Sequence, residues 1–332
     1  VTSQTGAAGA RRRLNRIHSL RRPNTRPFRM RRTTRALFGW GGWAKLASIV
    51  TTVAALAALW FTSQSLHATN DQYGLARQTA TTERFAKATE QLGNSAVDVR
   101  LGGIYLLERL ASDSPADRPT IFEVLGSFVR GHSPIGPDCG KVKDQRLPID
   151  VQAVVTVIGR RGAHSTEKID LSETCLANGY LRDANLRGAQ LRGANLAGAE
   201  LEQADLTEAA LGEANLSDAS LWGADLQSAR LDDANLQRTN FQEARLRHAN
   251  FNAADLRDAY LGGADMRNVY FDGANLRGAQ LKDTGYAEAR LDHVVFVKDW
   301  TTEGNENLQG ASFNGARFDD STRWPPGFTP IR

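Results

Sequence analysis

The sequence predicts a mixed architecture: a single membrane-spanning helix, a small α-helical segment and a long solenoid, in that order. Three observations predict it. From about Tyr180 to Leu291 one five-residue pattern recurs: a small residue, then Asn or Asp, then Leu, then two variable residues. Ahead of it, the stretch from Ala36 to Phe61 carries one charge only, at Lys45. Between them, apolar residues recur at helical spacing.

The 332 residues carry a net charge of +4, and its distribution is more informative than its sum. Residues 1–45 hold eleven Arg, one Lys and no acid, which gives +12, so the remainder sums to −8. Residues 1–35 read as a disordered, Arg-rich cytoplasmic tail, and residues 36–62 as a transmembrane helix. Twenty-six helical residues span about 39 Å, enough for a hydrocarbon core of about 30 Å even with tilt. Trp40, Trp43 and Trp60 bracket the run as interfacial aromatics do, and Lys45 can snorkel to the basic side. The positive-inside rule puts the tail in the cytoplasm and everything after Phe61 outside, a single-pass plasma-membrane protein with an extracytoplasmic repeat domain. A cleaved export signal is the alternative, since Arg31 and Arg32 precede the apolar run, but the basic lead is long and no clean cleavage box follows. Membrane lipid is an expected partner, with anionic headgroups attracting the tail. Nucleic acid would feel the same charge, yet base-stacking residues hardly interleave with it, so none is expected as a partner.

Residues 63–165 read as helical. Residues 81–93 form a helix closed by Gly93. Ser95 and Asp98 are spaced as a cap for the next helix, and Thr120 and Glu123 as a capping box for a third that starts near Pro119. Residues 150–161 place Val151, Val154, Val155 and Ile158 at helical spacing, although their β-branching would suit a strand.

Residues 166–320 form the solenoid. Of the 23 repeat centres from Leu181 to Leu291, 18 are Leu and the others are Phe241, Phe251, Met266, Phe271 and Tyr286; two positions earlier, 19 of 23 are Ala. A period of five matches neither the 3.6 of a helix nor the 2 of a strand, so the chain must turn the same way every few residues. The motif resembles the pentapeptide-repeat family. That resemblance implies a right-handed, four-sided parallel β-helix with four pentapeptides per turn, the Leu and the small residue facing in and the other three facing out. Coils about 4.8 Å apart would make a rod on the order of 28 Å long with no cleft. Every twentieth residue aligns Asn195, Asn215, Asn235, Asp255 and Asn275, a column where amides can bond along the stack. The helical segment, too, resembles one that precedes the rod in bacterial membrane-tethered members, with short paired helices similar to an armadillo stack that would cap the first coil.

After Phe296 the register slips and resumes at Phe313 and Phe318. Residues 321–332 then read as a C-terminal cap or tail, with two prolines that cannot extend a ladder and Trp324 and Phe328 as a lid.

Some family members mimic DNA and bind topoisomerases through an acidic surface, so the outward charges matter. Residues 171–296 hold 19 acids against 12 bases, and no one face carries more than about −3, a mixed surface without an anionic stripe. Tyr180, Trp222 and Tyr260 point outward on one face and, with Glu200 and Glu202, make the candidate protein contact. Cys139 and Cys175 are the only cysteines and form a possible disulfide, which the predicted sidedness permits. A metal site from His132, Cys139, His164 and Cys175 is a weaker alternative, because that spacing is unspecific. No phosphate loop, nucleophile elbow or dinucleotide fingerprint occurs. The expectation is a non-enzymatic, membrane-tethered scaffold or interaction rod of unidentified protein partner, with no catalytic residue, cofactor, metal or small-molecule substrate. The alternative is a DNA-mimicking rod that binds or protects a topoisomerase. An Arg-rich, Lys-poor composition and Val1, where a GUG start would fit, suggest a bacterial gene of high GC content.

Overall fold

The computed structural model describes residues 40–141, 145–162, 165, 167–282, 284 and 322. The Arg-rich tail, the side chain of Trp40, His164, the repeat centres Tyr286, Leu291, Phe313 and Phe318, and the cap residues Trp324 and Phe328 lie outside these. The chain divides into two compact units, residues 1–74 and 75–332.

In the first unit the described residues belong to α1 (Trp40–Leu92), which is long and apolar enough to cross a membrane. No residue from 43 to 74 is covered by protein; Val50, Leu59, Trp60 and Phe61 are each 65–71% exposed. Its hydroxyls turn back on their own helix, Thr52 Oγ1 donating to Ser48 O at 2.7 Å and Thr62 Oγ1 to Ala58 O at 2.7 Å. Such bonds satisfy these hydroxyls within the helix itself. The helix runs unbroken past residue 62 to Leu92, so the expected helix at 81–93 is its last part. The run from 62 to 80 contains no proline to stop it.

The second unit begins within α1. α2 (Val97–Asp113), α3 (Arg118–His132) and α4 (Ile149–Gly159) follow. Neither expected capping box forms. Ala96 is the N-cap of α2, without a side-chain bond. Arg100 instead holds the entry, donating to Asn94 O at 3.0 Å and Ser95 O at 2.8 Å while pairing with buried Asp150 at 2.6 Å. α3 begins after Asp117, with Pro119 in its first turn and Thr120 already inside the helix. Pro at that position loses no helical bond, so the start shifts ahead of Thr120. α4 is a helix despite its β-branched content, because Val151, Val154, Val155 and Ile158 are all fully buried between α2 and α3. Burial of this extent contributes roughly 1.5–3 kcal/mol per side chain, more than helix propensity opposes.

The core of this bundle continues without a break into the coil. From Asp170 onward each bridge joins residue i to residue i+20 in parallel, as Asp170 to Gln190, Cys175 to Asn195, Tyr180 to Glu200 and Asn185 to Asp205. Four pentapeptides therefore complete one coil. The Leu centres and the Ala two positions before them are buried to near completion, and the exceptions fit by shape or bonding. Phe251 and Phe271, one coil apart, stack at 5.1 Å, and Thr239, in an Ala position, donates its hydroxyl to Leu216 O at 2.8 Å. The residue two after each centre takes positive φ, at 55–61° even where it is not glycine, and this turns the corner.

The Asn column bonds only in part. Asn215 Nδ2 donates to Asn195 Oδ1 at 3.1 Å and Asn235 Nδ2 to Asn215 Oδ1 at 3.0 Å. Asp255 follows with no amide to donate and takes Gln237 and Arg257 instead. A carboxylate ends the run because it is acceptor-only.

Candidate functional site

A solenoid exposes a row of unpaired backbone groups at its first coil, a template for unwanted pairing. Here all four sides are closed from the helical segment. Tyr180 meets the side-chain amide of Gln152; Asn185 N–H donates to Gly159 O at 2.8 Å; Cys175 N–H donates to Ser133 O at 2.7 Å, and Ser133 Oγ donates back to Cys175 O at 2.6 Å. On the fourth side Arg130 donates to Asp170 O and pairs with its carboxylate at 3.0 Å. Arg161, almost wholly buried, donates to the carbonyls of Asn185, Glu167 and Arg187. Burial holds its guanidinium below the ordinary value, with Glu167 and Asp205 opposing that shift. Two glycines permit the close approach. A Cβ on Gly126 would lie 2.9 Å from Asp170 O, and one on Gly159 would lie 2.8 Å from the Ala184 Cβ.

The candidate contact residues fall on one face of the rod. The bridges run Tyr180, Glu200, Ser220, Asn240, Tyr260, Gln280, so Tyr180 and Tyr260 stand four coils apart, about 19 Å at one strand spacing per coil. Glu202 and Trp222 lie two residues along from Glu200 and Ser220, one coil apart from each other. Tyr180, Trp222 and Tyr260 are 56%, 40% and 39% exposed. Arg182 stands 3.9 Å from Glu200 and 3.8 Å from Glu202. The structure thus aligns the five residues as a strip and does not gather them into one compact cluster. Tyr270, exposed to a similar degree, belongs to the column of Arg230 and Asn250, which is a different face.

Elsewhere on the rod, carboxylates are matched between coils: Arg187 with Glu208, Arg192 with Glu213, Arg238 with Asp218, Arg247 with Asp265. Cys139 and Cys175 are joined in a disulfide with their Cα atoms 5.8 Å apart. That leaves neither thiol for a metal. His132 stacks on Phe128 with ring centroids 3.9 Å apart. Among the described residues no group of three or more His, Cys, Asp or Glu could hold a metal ion. Two open grooves flank the helices, of about 550 Å³ beside Pro119, Glu123 and Glu167 and about 520 Å³ beside Tyr105, Arg109 and Arg160. Sequence reasoning missed the closing residues Gln152, Ser133, Arg130 and Arg161. The available signal was the pair of arginines, Arg160 and Arg161, ending an apolar helix immediately before the repeats.

A protein-family model described as pentapeptide repeats matches residues 169–198, 184–223, 214–252 and 249–284. No curated protein matches the sequence. Among solved structures, the chain is similar to HetL, a pentapeptide repeat protein involved in heterocyst differentiation regulation from the cyanobacterium Nostoc sp. strain PCC 7120. Identity is 32%, over 45% of this chain and 67% of that one, with a TM-score of 0.41. A pentapeptide repeat protein of the Arabidopsis thaliana thylakoid lumen is 32% identical, over 30% of this chain and 68% of its own, with a TM-score of 0.22. QnrB1, a plasmid-mediated fluoroquinolone resistance protein, is 16% identical, over 46% of this chain and 85% of its own, with a TM-score of 0.26.

Proposed function

Because this chain belongs, through residues 169–284, to the pentapeptide-repeat family, we propose that it is a non-enzymatic, membrane-tethered rod whose outer surface docks another protein. The observation that carries this reading is the solid coil. Its axis is filled by Leu, Phe and Ala, so its outward side chains are what it offers a partner. An exposed convex surface cannot exclude water or tune an acid and a base, which speaks against catalysis there. The strip of Tyr180, Glu200, Glu202, Trp222 and Tyr260 is the docking face, since exposed aromatics anchor interfaces.

The tether is α1, with Trp43, Lys45 and Trp60, and Trp40 before them, at the membrane interfaces. The uncovered apolar side chains of α1 support a bilayer around it, and lipid is then its partner. The positive tail puts the amino terminus in the cytoplasm and the rod outside. The Cys139–Cys175 disulfide supports that sidedness, because such bonds persist in oxidising compartments. The DNA-mimicking reading is disfavoured by the cross-coil ion pairs, in which arginines neutralise the acids that a phosphate-like stripe would need.

Two experiments test the proposal. A Cys placed at Ser220 is labelled in intact cells with an impermeant maleimide; Cys175 cannot serve because it is bonded. Labelling is expected, and labelling only after lysis would overturn the topology. A photo-crosslinking residue at Trp222 is expected to give a discrete protein adduct that the same probe at Gln190, on another face, does not. Equal adducts at both positions would remove the strip as the docking face.

A further inference from the structure

We propose that the Cys139–Cys175 disulfide is a redox-controlled latch, which holds residues 133–141 over one edge of the first coil and releases them when reduced. The segment is a cover for that edge. Pro134 pairs antiparallel with Thr174, Ile135 N–H donates to Glu173 O at 3.2 Å, and the first amide of the Asn column, Asn195, donates to Cys139 O at 3.3 Å. Yet beyond Ser133 it buries no side chain. Residues 134–138, 140 and 141 are exposed, Ile135 is 48% exposed, and Cys139 is half-buried.

A cover with no apolar anchor is held by its covalent bond and a few partly exposed hydrogen bonds, each worth about 1 kcal/mol net. The other three sides of the coil are closed differently, from α3 and α4, whose apolar faces are part of the core, and by the buried Arg161. On the Cys175 side packing reaches only as far as the buried Ser133 at the end of α3, and beyond it the disulfide is the restraint. The pair also lies near the surface: Cys139 and Cys175 are both half-buried and line a small pocket of about 80 Å³ with Asp138, Gly140 and Arg146.

The switching step is thiol–disulfide exchange with a dithiol donor. One donor thiolate attacks a sulfur of the pair, the S–S bond breaks, and the resulting mixed disulfide is resolved by the donor's second thiol. Cys139 and Cys175 each end as a thiol, having together gained two electrons and two protons, and the donor that supplied them leaves oxidised as its own disulfide. Release bares Glu173 O on the edge that Pro134 covers, together with the side-chain Nδ2 of Asn195, whose backbone N–H stays bonded to Thr174 O; an edge carbonyl opened in this way can accept another strand.

Hydrogen–deuterium exchange on the full-length chain in detergent, with and without dithiothreitol, tests the latch. Reduction, verified by two titratable thiols per chain, is expected to speed exchange in residues 133–141 and at Cys175 at least tenfold, with residues 200–240 unchanged. The Cys139→Ser, Cys175→Ser double variant should show the fast rate whether or not reductant is present. Unchanged exchange in residues 133–141 of the reduced chain would overturn the proposal. So would loss of protection across residues 200–240, which would make the bond a staple for the whole fold. The readout is independent of membrane sidedness and of any partner, so its failure is separable from that of the docking reading.

Discussion

The side-chain amide of Gln152 takes the place of a missing strand at Tyr180: its Nε2 donates to Tyr180 O at 2.7 Å and its Oε1 accepts from Tyr180 N–H at 3.0 Å. One planar amide thus reproduces both bonds that the previous coil would supply. Glu200 receives the equivalent pair within the rod, donating to Gly179 O at 2.9 Å and accepting from Leu181 N–H at 2.8 Å.

Replacing Gln152 with Glu keeps an acceptor for Tyr180 N–H but sets a carboxylate against Tyr180 O, where a donor stood. The change is expected to cost about 1–2 kcal/mol locally. Amide exchange at Tyr180 would rise several-fold while the central coils stay protected. An unchanged Tyr180 rate would mean that the edge is held by α4 packing alone.

Three glycines on helices separate contact from propensity. A Cβ on Gly103 would lie 2.7 Å from Ala88 O, and one on Gly126 would lie 2.9 Å from Asp170 O, both backbone atoms that cannot move aside alone; one on Gly131 would meet nothing. Gly103→Ala and Gly126→Ala should each destabilise by about 1–3 kcal/mol through overpacking. Gly131→Ala, also in α3, should stabilise by up to about 1 kcal/mol because alanine favours the helix. Urea titration of the three variants checks both signs.

The coil was legible because its five-residue period is repeated without interruption, and each Leu centre from 181 to 281, with each Ala two positions before a centre, is buried where the pattern places it. The helix at 149–159 was legible for the same reason, through Val151, Val154, Val155 and Ile158. Capping was not. Ser95 and Thr120 sit in sequences that suit a cap, but Arg100, fixed by Asp150 some 50 residues away, and Pro119 decide where those helices start. The closing contacts of the first coil were equally hidden, since Gln152 and Tyr180 are 28 residues apart and carry no local signal. The contact strip could be assigned to a face from the period alone. Its spread along the axis follows from the one-coil spacing of the bridges.

Corner residues carry strain that can be relieved. Ala253 sits at φ 58°, a left-handed conformation that an L residue adopts at a cost of roughly 1 kcal/mol, whereas Gly273 holds the same corner one coil on at φ 72°. Ala253→Gly is expected to stabilise the coil by up to about 1 kcal/mol, and Gly273→Ala to destabilise it similarly. Thermal melts of the pair should move in opposite directions. Movement in the same direction would show that neighbouring contacts outweigh the backbone term.

The interruption of the amide column at Asp255 makes part of the rod's stability depend on pH. Burial, the largest single influence on this carboxyl, disfavours its charge; the side chain and N–H of Arg257, its positive charge and Gln237 together outweigh that, so the group titrates below the usual carboxylate range. A lowered folded value means that ionised Asp255 contributes fully above its unfolded value, near 3.9, and that the contribution is lost as pH falls through the lower folded value. Asp255→Asn removes this dependence and supplies an Nδ2 that can donate to Asn235 Oδ1, joining the ladder that now ends there. The variant should be close to or slightly less stable than the parent at pH 7, having lost the Arg257 pair, and should lose less stability between pH 5 and about pH 2.5. Urea midpoints across that range test it. Parallel curves for parent and variant would assign the acid sensitivity to other groups, among them Asp170, held down by Ser172 and Arg130 against its burial.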